Sequence, residues 1–141
     1  MRRLLLLIIA MALTIALALG VIWRTPVFLP QLTEAAPAIP VGDQRVFGYA
    51  TLTNPLVRSV VAGRWLPGEA VVLPGFERVG RHLVEAPETR VPGIVFTVDP
   101  AALERIDRYE RAGERYMRRL KTLADGSEAW VYRLIDGESA R

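Results

Sequence analysis

The sequence predicts an α+β fold: a small, mostly antiparallel β-barrel flanked by helices and preceded by one N-terminal transmembrane helix. Two observations lead to this prediction. The chain of 141 residues opens with an uncharged apolar run, Leu4 to Trp23. The remainder shows, in order, patterns typical of a strand, a helix, several strands, a second helix and two strands. Because the strands outnumber the helices and do not alternate with them, a doubly wound parallel sheet is disfavoured.

The apolar run is long enough to cross a membrane. Its 20 residues measure about 30 Å as a helix, which matches the hydrocarbon core of a bilayer. Arg2 and Arg3 precede the run and Arg24 follows it. The excess of positive charge before the helix predicts a cytoplasmic N-terminus and a domain on the extracytoplasmic side, periplasmic or extracellular. Residues 4–23 are therefore expected to contact the membrane.

A cleaved signal peptide is the alternative interpretation of residues 1–24. The small residues of Ala16-Leu17-Ala18 and of Ala18-Leu19-Gly20 have the spacing of cleavage sites, and cleavage would give a secreted protein. The run is long for the apolar part of a signal peptide, which favours a retained single-pass anchor.

Charge and composition exclude several classes of site and partner. Three of the 18 basic side chains, Arg2, Arg3 and Arg24, flank the apolar run, and 15 acidic side chains balance the others. The folded part is thus neutral, and no nucleic-acid partner is expected. Because there is no cysteine and His82 is the single histidine, neither a disulfide framework nor a thiolate or multi-histidine metal site can form. A partner protein cannot be named from the sequence.

Residues 25–43 are rich in proline and show no clear apolar period. They are predicted to form an extended linker or a strap along the domain surface. The domain itself is expected to occupy residues 44–141.

The domain begins with a strand over Arg45–Tyr49. Asn54-Pro55 has the form of an N-cap followed by proline at the first helical position, and Gly63 is a natural stop. Between them, apolar residues recur at helical spacing: Leu56, Val57, Val60 and Val61.

The remaining elements are separated by proline and glycine signals. Strands are predicted over 70–73, 78–85 and 93–98. Asp99-Pro100 repeats the cap-and-proline signal and opens a second helix that runs to about Tyr109 or Glu110. A hairpin over 116–123 and 128–134, with its turn at Asp125-Gly126, closes the domain.

The second helix carries a carboxylate on its apolar face. Leu103, Ile106 and Glu110 fall on one side, and Asp107 flanks it. Desolvation there would raise the pKa of Glu110, as suits a general acid or base near neutral pH. The alternative is that the side chain reaches solvent at the helix end, or pairs with a nearby arginine: Arg111, Arg115 or Arg118.

A cluster of arginines follows the same region and alternates with glutamates. A solvated ion-pair face is the expectation, with contact to anionic lipid headgroups as the alternative. The arginines are Arg105, Arg108, Arg111, Arg115, Arg118 and Arg119. His82 is expected on a strand surface.

Three segments together resemble a known family. Val46 to Leu52 resembles the Val-Tyr-Gly-Thr-Leu loop of the γ-glutamylcyclotransferase-like (AIG2-like) family. The stretch from Val98 to Arg118, with Ile106-Asp107, Tyr109-Glu110 and Tyr116-Met117-Arg118, is similar to its central block. Ala129 to Tyr132 resembles its closing strand.

The resemblance implies a fold, an activity and a site. The family folds as a small β-barrel flanked by helices, and its enzymes cyclise a γ-glutamyl group to 5-oxoproline with release of an amine or amino acid. Glu110 matches the catalytic glutamate. The loop Tyr49, Ala50, Thr51 and Leu52 matches the one that binds the substrate, and Tyr116 matches a tyrosine near the pocket. Neither a metal nor an organic cofactor is needed.

Two residues depart from the family pattern. Ala50 and Arg111 stand where the pattern has glycine, which matters wherever the backbone needs a positive φ or approaches a substrate closely. The sequence thus predicts a membrane-anchored γ-glutamyl cyclotransferase or γ-glutamylamine cyclotransferase. The alternative is a catalytically impaired module of the same fold that binds a small ligand or a partner.

Overall fold

An apolar helix stands at the N-terminus and leads into a mixed α/β domain. The computed structural model describes residues 1–135; the last part of the predicted domain, residues 136–141, lies outside the described residues. The elements are α1 (Arg2–Arg24), β1 (Gln44–Gly48), a 3-10 turn (Thr51–Thr53), α2 (Pro55–Ala62), β2 (Glu69–Val79), β3 (His82–Val98), α3 (Pro100–Glu110), β4 (Tyr116–Thr122) and β5 (Glu128–Leu134).

The five strands form one curled sheet in the order β2-β3-β1-β5-β4. Three of the pairings are antiparallel, and β1 pairs with β5 in parallel through Val46 and Phe47. The sheet is a mixed half-barrel with α2 and α3 packed against it. The predicted α+β class, with helices flanking a curled and mostly antiparallel sheet behind an apolar helix, is confirmed.

The segment between α2 and α3 corrects one prediction. Instead of three strands it holds two long ones, and the predicted strand 78–85 spans the turn at Gly80-Arg81 that joins them. Pro74-Gly75 is a bulge within β2, an edge strand. Pro87 and Pro92 lie inside β3, whose register with β1 runs only from Ile94 to Val98. Prolines are tolerated there because no second neighbouring strand uses their missing N–H groups.

Both helices begin as predicted. The Asn54 side chain accepts hydrogen bonds from the N–H groups of Leu56 and Val57, and the Asp99 side chain accepts one from Ala102. Gly63 ends α2 with a φ of 74°. The caps hold because each side-chain oxygen satisfies N–H groups that have no partner within the helix.

The buried face of α2 differs from the apolar pattern of its sequence. Leu56 and Val60 are exposed, whereas Arg58 and Ser59 are buried together with Val61. The Arg58 guanidinium finds backbone carbonyls inside the domain, which offsets the cost of its burial.

Residues 25–43 run along the domain surface as a strap. Leu29 is buried, and the strap backbone at Ala35-Ala36 lies so close to Gly113 that a Cβ there would come within 2.4 Å of the Ala36 nitrogen. Arg118 donates hydrogen bonds to the carbonyls of Pro37 and Ala38. The strap is therefore packed on the domain.

A buried ion pair joins α3, β4 and the strap. Arg118 Nε donates to both carboxylate oxygens of Asp107, at 2.9 and 3.1 Å, and Tyr132 Oη donates to the same carboxylate. Burial raises the pKa of Asp107, and the donors of Tyr132 and Arg118 oppose that rise. Asp107 is fully buried, whereas the sequence placed it beside the apolar face.

The predicted solvated arginine face is correct only in part. Arg111 forms an exposed pair with Glu114, and Arg108 forms a partly buried pair with Glu104. Arg105 and Arg118 are buried. Because they bond mainly to carbonyls distant in sequence, charge alternation gives no sign of their burial.

We expect Asp107→Asn to lower the free energy of unfolding by about 3–5 kcal/mol, since it leaves the Arg118 charge buried without its partner. Chemical unfolding of the full chain in detergent, followed by tryptophan fluorescence, measures this loss. Glu114→Gln, which breaks the exposed pair with Arg111, should cost about 0–1 kcal/mol. Equal losses in the two variants would contradict the prediction.

Candidate active site

A pocket of about 240 Å³ opens between the loop after β1, the C-terminal end of α3 and the start of β4. All six residues that the sequence selected line it: Tyr49, Ala50, Thr51, Leu52, Glu110 and Tyr116. Residues distant in sequence are brought together because β1 lies between β3 and β5 in the sheet. The pocket also includes residues that were not predicted: Phe47, Gly48, Arg81, Tyr109, Arg111, Arg115 and Tyr132.

The loop over Tyr49–Leu52 turns back on the end of β1. A Cβ at Gly48 would lie 3.0 Å from the Leu52 Cβ, so the tight position in this loop is Gly48. Ala50 has a φ of −125° and a ψ of −119°, so this position does not have the positive φ that favours glycine.

Side chains outside the loop hold its carbonyl groups. Arg78 donates to the Tyr49 carbonyl at 2.9 Å, and Thr53 Oγ1 donates to that of Ala50 at 2.6 Å. Arg58 Nη1 donates to the carbonyls of Leu52 and Thr53, each at 3.1 Å. The carbonyls are thereby kept occupied by protein donors.

The backbone N–H groups of the loop differ from its carbonyl groups in their hydrogen bonding. Within residues 1–135, no acceptor takes a hydrogen bond from the backbone N–H of Ala50, Thr51 or Leu52. Successive N–H groups of this kind can hold an anion or a developing oxyanion.

Sequence reasoning missed Arg58, Arg78 and Arg81. For Arg58 a weak signal existed: a lone charge among the apolar residues of α2. For Arg78 and Arg81 there was none, because their approach to the pocket depends on the hairpin of β2 and β3.

Glu110 is the last residue of α3, and its side chain is partly buried in the pocket wall. Burial raises the pKa of Glu110 to about 7, against a smaller lowering by the Arg115 guanidinium. No donor within residues 1–135 is hydrogen-bonded to the carboxylate. The group can thus exist in both protonation states near neutral pH.

Arg111 shows why the family pattern has glycine after the glutamate. Its φ is 54°, in the left-handed region, and its N–H caps α3 by donating to the carbonyls of Arg108 and Asp107. A non-glycine residue costs about 1 kcal/mol there. The Arg111 guanidinium, at the pocket rim, pairs with Glu114 at 2.6 Å.

Tyrosines connect the loop to the rest of the pocket. Tyr49 Oη donates to the Tyr132 carbonyl at 2.8 Å, and burial raises the pKa of Tyr49, with a further contribution from Glu110. The hydroxyls of Thr51 and Tyr109 are hydrogen-bonded at 2.8 Å. These bonds link the loop to both β5 and α3.

Tyr116 contacts His82, the residue that was predicted to lie on a strand surface. Its hydroxyl lies 2.9 Å from His82 Nδ1, and the two rings are in contact. His82 begins β3 and is half-buried by this contact.

The comparisons with known proteins agree with this fold and pocket. A family model described as γ-glutamyl cyclotransferase, AIG2-like, matches residues 46–140. The chain belongs to this family. The sequence-based assignment to the AIG2-like family is thereby confirmed. None of the curated proteins gives a significant match.

Three solved structures share the fold of this chain. The solution structure of At3g28950.1 from Arabidopsis thaliana is 22% identical, with a TM-score of 0.60 over 75% of this chain and 70% of that one. A second Arabidopsis thaliana protein, At5g39720.1, is 26% identical, with a TM-score of 0.55 over 74% of both chains. The crystal structure of the uncharacterized protein PH0828 from Pyrococcus horikoshii is 20% identical, with a TM-score of 0.50 over 64% of this chain and 77% of that one.

We expect Glu110→Gln to stabilise the domain at about pH 8 by about 2 kcal/mol, because each pKa unit corresponds to about 1.4 kcal/mol and the carboxylate retains some solvent contact. The pKa rises from 4.5 in the unfolded chain to about 7 in the folded one. The folded state therefore binds more protons between these values, and wild-type stability falls as the pH rises through that window.

The measurement is chemical unfolding of both proteins across this pH range. The two curves should meet at acidic pH, where Glu110 is protonated in both states. Glu128→Gln, at an exposed position on β5, should keep the wild-type slope. A Glu110→Gln protein with the same slope as the wild type would refute the raised pKa.

Proposed function

We propose that this protein is a γ-glutamyl cyclotransferase that releases 5-oxoproline and an amine or amino acid from a γ-glutamyl compound. The observation that carries the proposal is the position of Glu110, a carboxylate with a raised pKa in the same pocket as the amide groups of Ala50, Thr51 and Leu52. This pairs an acid/base with a site for negative charge, as acyl transfer requires.

The reaction balances with Glu110 as the proton carrier. The substrate's α-nitrogen attacks its own γ-carbonyl carbon, so the ring C–N bond forms and the amide C–N bond breaks. Overall the α-ammonium loses two protons and the leaving amine gains two. Glu110 takes a proton from the α-nitrogen and returns one to the leaving nitrogen. The loop amides stabilise the oxyanion, and the folded pose of the glutamyl group supplies proximity.

The charges around the pocket favour a leaving group that carries a carboxylate. Arg81, Arg111 and Arg115 line the rim. Arg111 is engaged by Glu114, and Arg115 lies over the Tyr116 ring. Arg81, on the exposed turn between β2 and β3, is therefore the guanidinium best placed to meet a substrate carboxylate.

The proposed site of action is the extracytoplasmic face of a membrane. Helix α1 has the length and composition of a single span or of a signal sequence. We infer a retained anchor, with Arg2 and Arg3 on the cytoplasmic side. Cleavage of α1, giving a secreted enzyme, is the alternative.

A module of the same fold that binds without turnover is the second candidate. Arg111 favours it, because its side chain lines the pocket at a position where the family pattern has no side chain. Such a module would bind γ-glutamyl compounds or a partner, and would release no 5-oxoproline.

We expect the full chain in detergent to release 5-oxoproline from at least one of a panel of γ-glutamyl amino acids and γ-glutamyl amines. Mass spectrometry follows the product. Glu110→Gln should lower the rate by about 10²–10⁴-fold, the usual contribution of a general acid/base. The wild-type kcat/KM should rise through about pH 7, since the base must be ionised.

Glu128→Gln serves as the matched control and should keep the wild-type rate. Residues 23 and 24 must be retained, because the buried Arg105 bonds to their carbonyls. A folded wild type that binds a γ-glutamyl compound without product would establish the binding module instead.

We expect Arg81→Gln to raise KM for γ-glutamyl amino acids about tenfold, the loss of one charge-assisted hydrogen bond. KM for γ-glutamyl amines without a carboxylate should change little. Arg90→Gln, at an exposed β3 position, is the control. Equal effects on both substrate types would exclude Arg81 as the carboxylate-binding residue.

A further inference from the structure

The C-terminal end of α1 is fixed to the domain by a buried arginine. Arg105 donates to the carbonyls of Trp23 and Arg24, at 2.9 and 2.8 Å. The same guanidinium donates to the carbonyls of Val61, at 2.7 Å, and Val60, at 3.3 Å. One planar group thus joins the end of α1 to the end of α2.

Two further contacts remove the hinge expected between an anchor and its domain. Trp23 Nε1 donates to the Ser59 carbonyl at 3.2 Å, and the Phe28 ring lies 5.7 Å from the Arg105 guanidinium carbon. Beyond these residues, Arg118 holds the strap at Pro37 and Ala38. The orientation of the domain relative to α1 is therefore set.

The segments that meet at this junction carry exposed apolar side chains, which are here named together the α2 face. On α2, Leu56 and Val60 are one helical turn apart on the same side. These side chains are not covered by the rest of the domain, as their exposed fractions show: Val27 75%, Phe28 46%, Leu56 67%, Val60 49% and Trp65 60%.

We propose that the α2 face lies in the boundary between lipid headgroups and acyl chains. The domain then contacts the bilayer surface directly and is not connected to it by α1 alone. The argument is continuity. Helix α1 is apolar along its length and has no buried residue. Arg105 donates both to the carbonyls at the end of α1 and to that of Val60, and its guanidinium lies over the Phe28 ring. A bilayer that surrounds α1 as far as Trp23 therefore ends next to Val60 and Phe28.

The chemistry of the α2 face fits that boundary. Phenylalanine, leucine and tryptophan are the side chains with which amphipathic segments enter the headgroup region. Trp23, at the end of α1, is the residue type enriched where a span leaves the membrane. Burial in the lipid boundary explains why α2 keeps Leu56 and Val60 outside while it buries Arg58.

Spin labels test the proposal on the full chain in phosphatidylcholine vesicles. The chain has no cysteine, so single cysteines at Leu56, Val60 and Val84 give unambiguous labels. Val84 is the matched control: an exposed valine on β3, three residues from Arg81 of the pocket rim. Power saturation compares collisions of each label with oxygen, enriched in lipid, and with a water-soluble nickel chelate.

The proposal depends on α1 as a membrane span, and vesicle flotation tests that part separately. We expect the chain to float, with oxygen collisions dominant at Leu56 and Val60 and nickel collisions dominant at Val84. Floating chains with nickel-dominated collisions at all three positions would overturn the proposal and leave the anchor intact.

Spin–spin broadening at Leu56 that disappears on dilution with unlabelled chain would show that a second copy of the chain, and not lipid, covers the α2 face. A chain that does not float overturns both the anchor and the proposal, and leaves the proposed catalysis untouched.

Discussion

The fold depends on the buried contact between Asp107 and Arg118. Arg118 holds the Asp107 carboxylate on one side and the strap carbonyls of Pro37 and Ala38 on the other. Tyr132 reaches the same carboxylate from β5, and its carbonyl accepts the Tyr49 hydroxyl from the loop. Helix α3, strands β4 and β5, the strap and the loop are thus connected through one carboxylate. Each partner also satisfies a group that would be costly to bury alone.

This contact also fixes the environment of Glu110. Asp107 and Glu110 are three residues apart on α3, so the buried pair determines the rotation of the helix and turns Glu110 into the pocket wall. The two carboxylates meet opposite surroundings. Asp107 accepts hydrogen bonds from the Arg118 guanidinium and the Tyr132 hydroxyl. Glu110 is partly desolvated, and its pKa is raised to about 7. The proposed acid/base role of Glu110 rests on this difference in environment between two nearby carboxyl groups.

Short sequence patterns were sufficient to predict those features that depend only on neighbouring residues. The caps at Asn54 and Asp99 and the closing hairpin follow from short-range rules. β3 was predicted in two pieces because Pro87 and Pro92 suggested breaks, and whether a strand tolerates proline depends on which strand lies beside it. The outward Leu56 and the inward Arg58 were missed because the acceptors that bury Arg58 come from other segments.

Three buried arginines replace the covalent cross-links that a cysteine-free chain lacks. Arg58 holds the loop, Arg105 the end of α1 and Arg118 the strap, and each does so through backbone carbonyls of irregular or terminal segments. A planar guanidinium can serve several carbonyls at once, and a lysine ammonium cannot reproduce that geometry. The loop of the pocket, the strap and the junction between α1 and the domain gain their order from these arginines. The acceptors of these arginines lie on other segments, so hydrophobic periodicity and charge alternation along the chain do not predict these contacts.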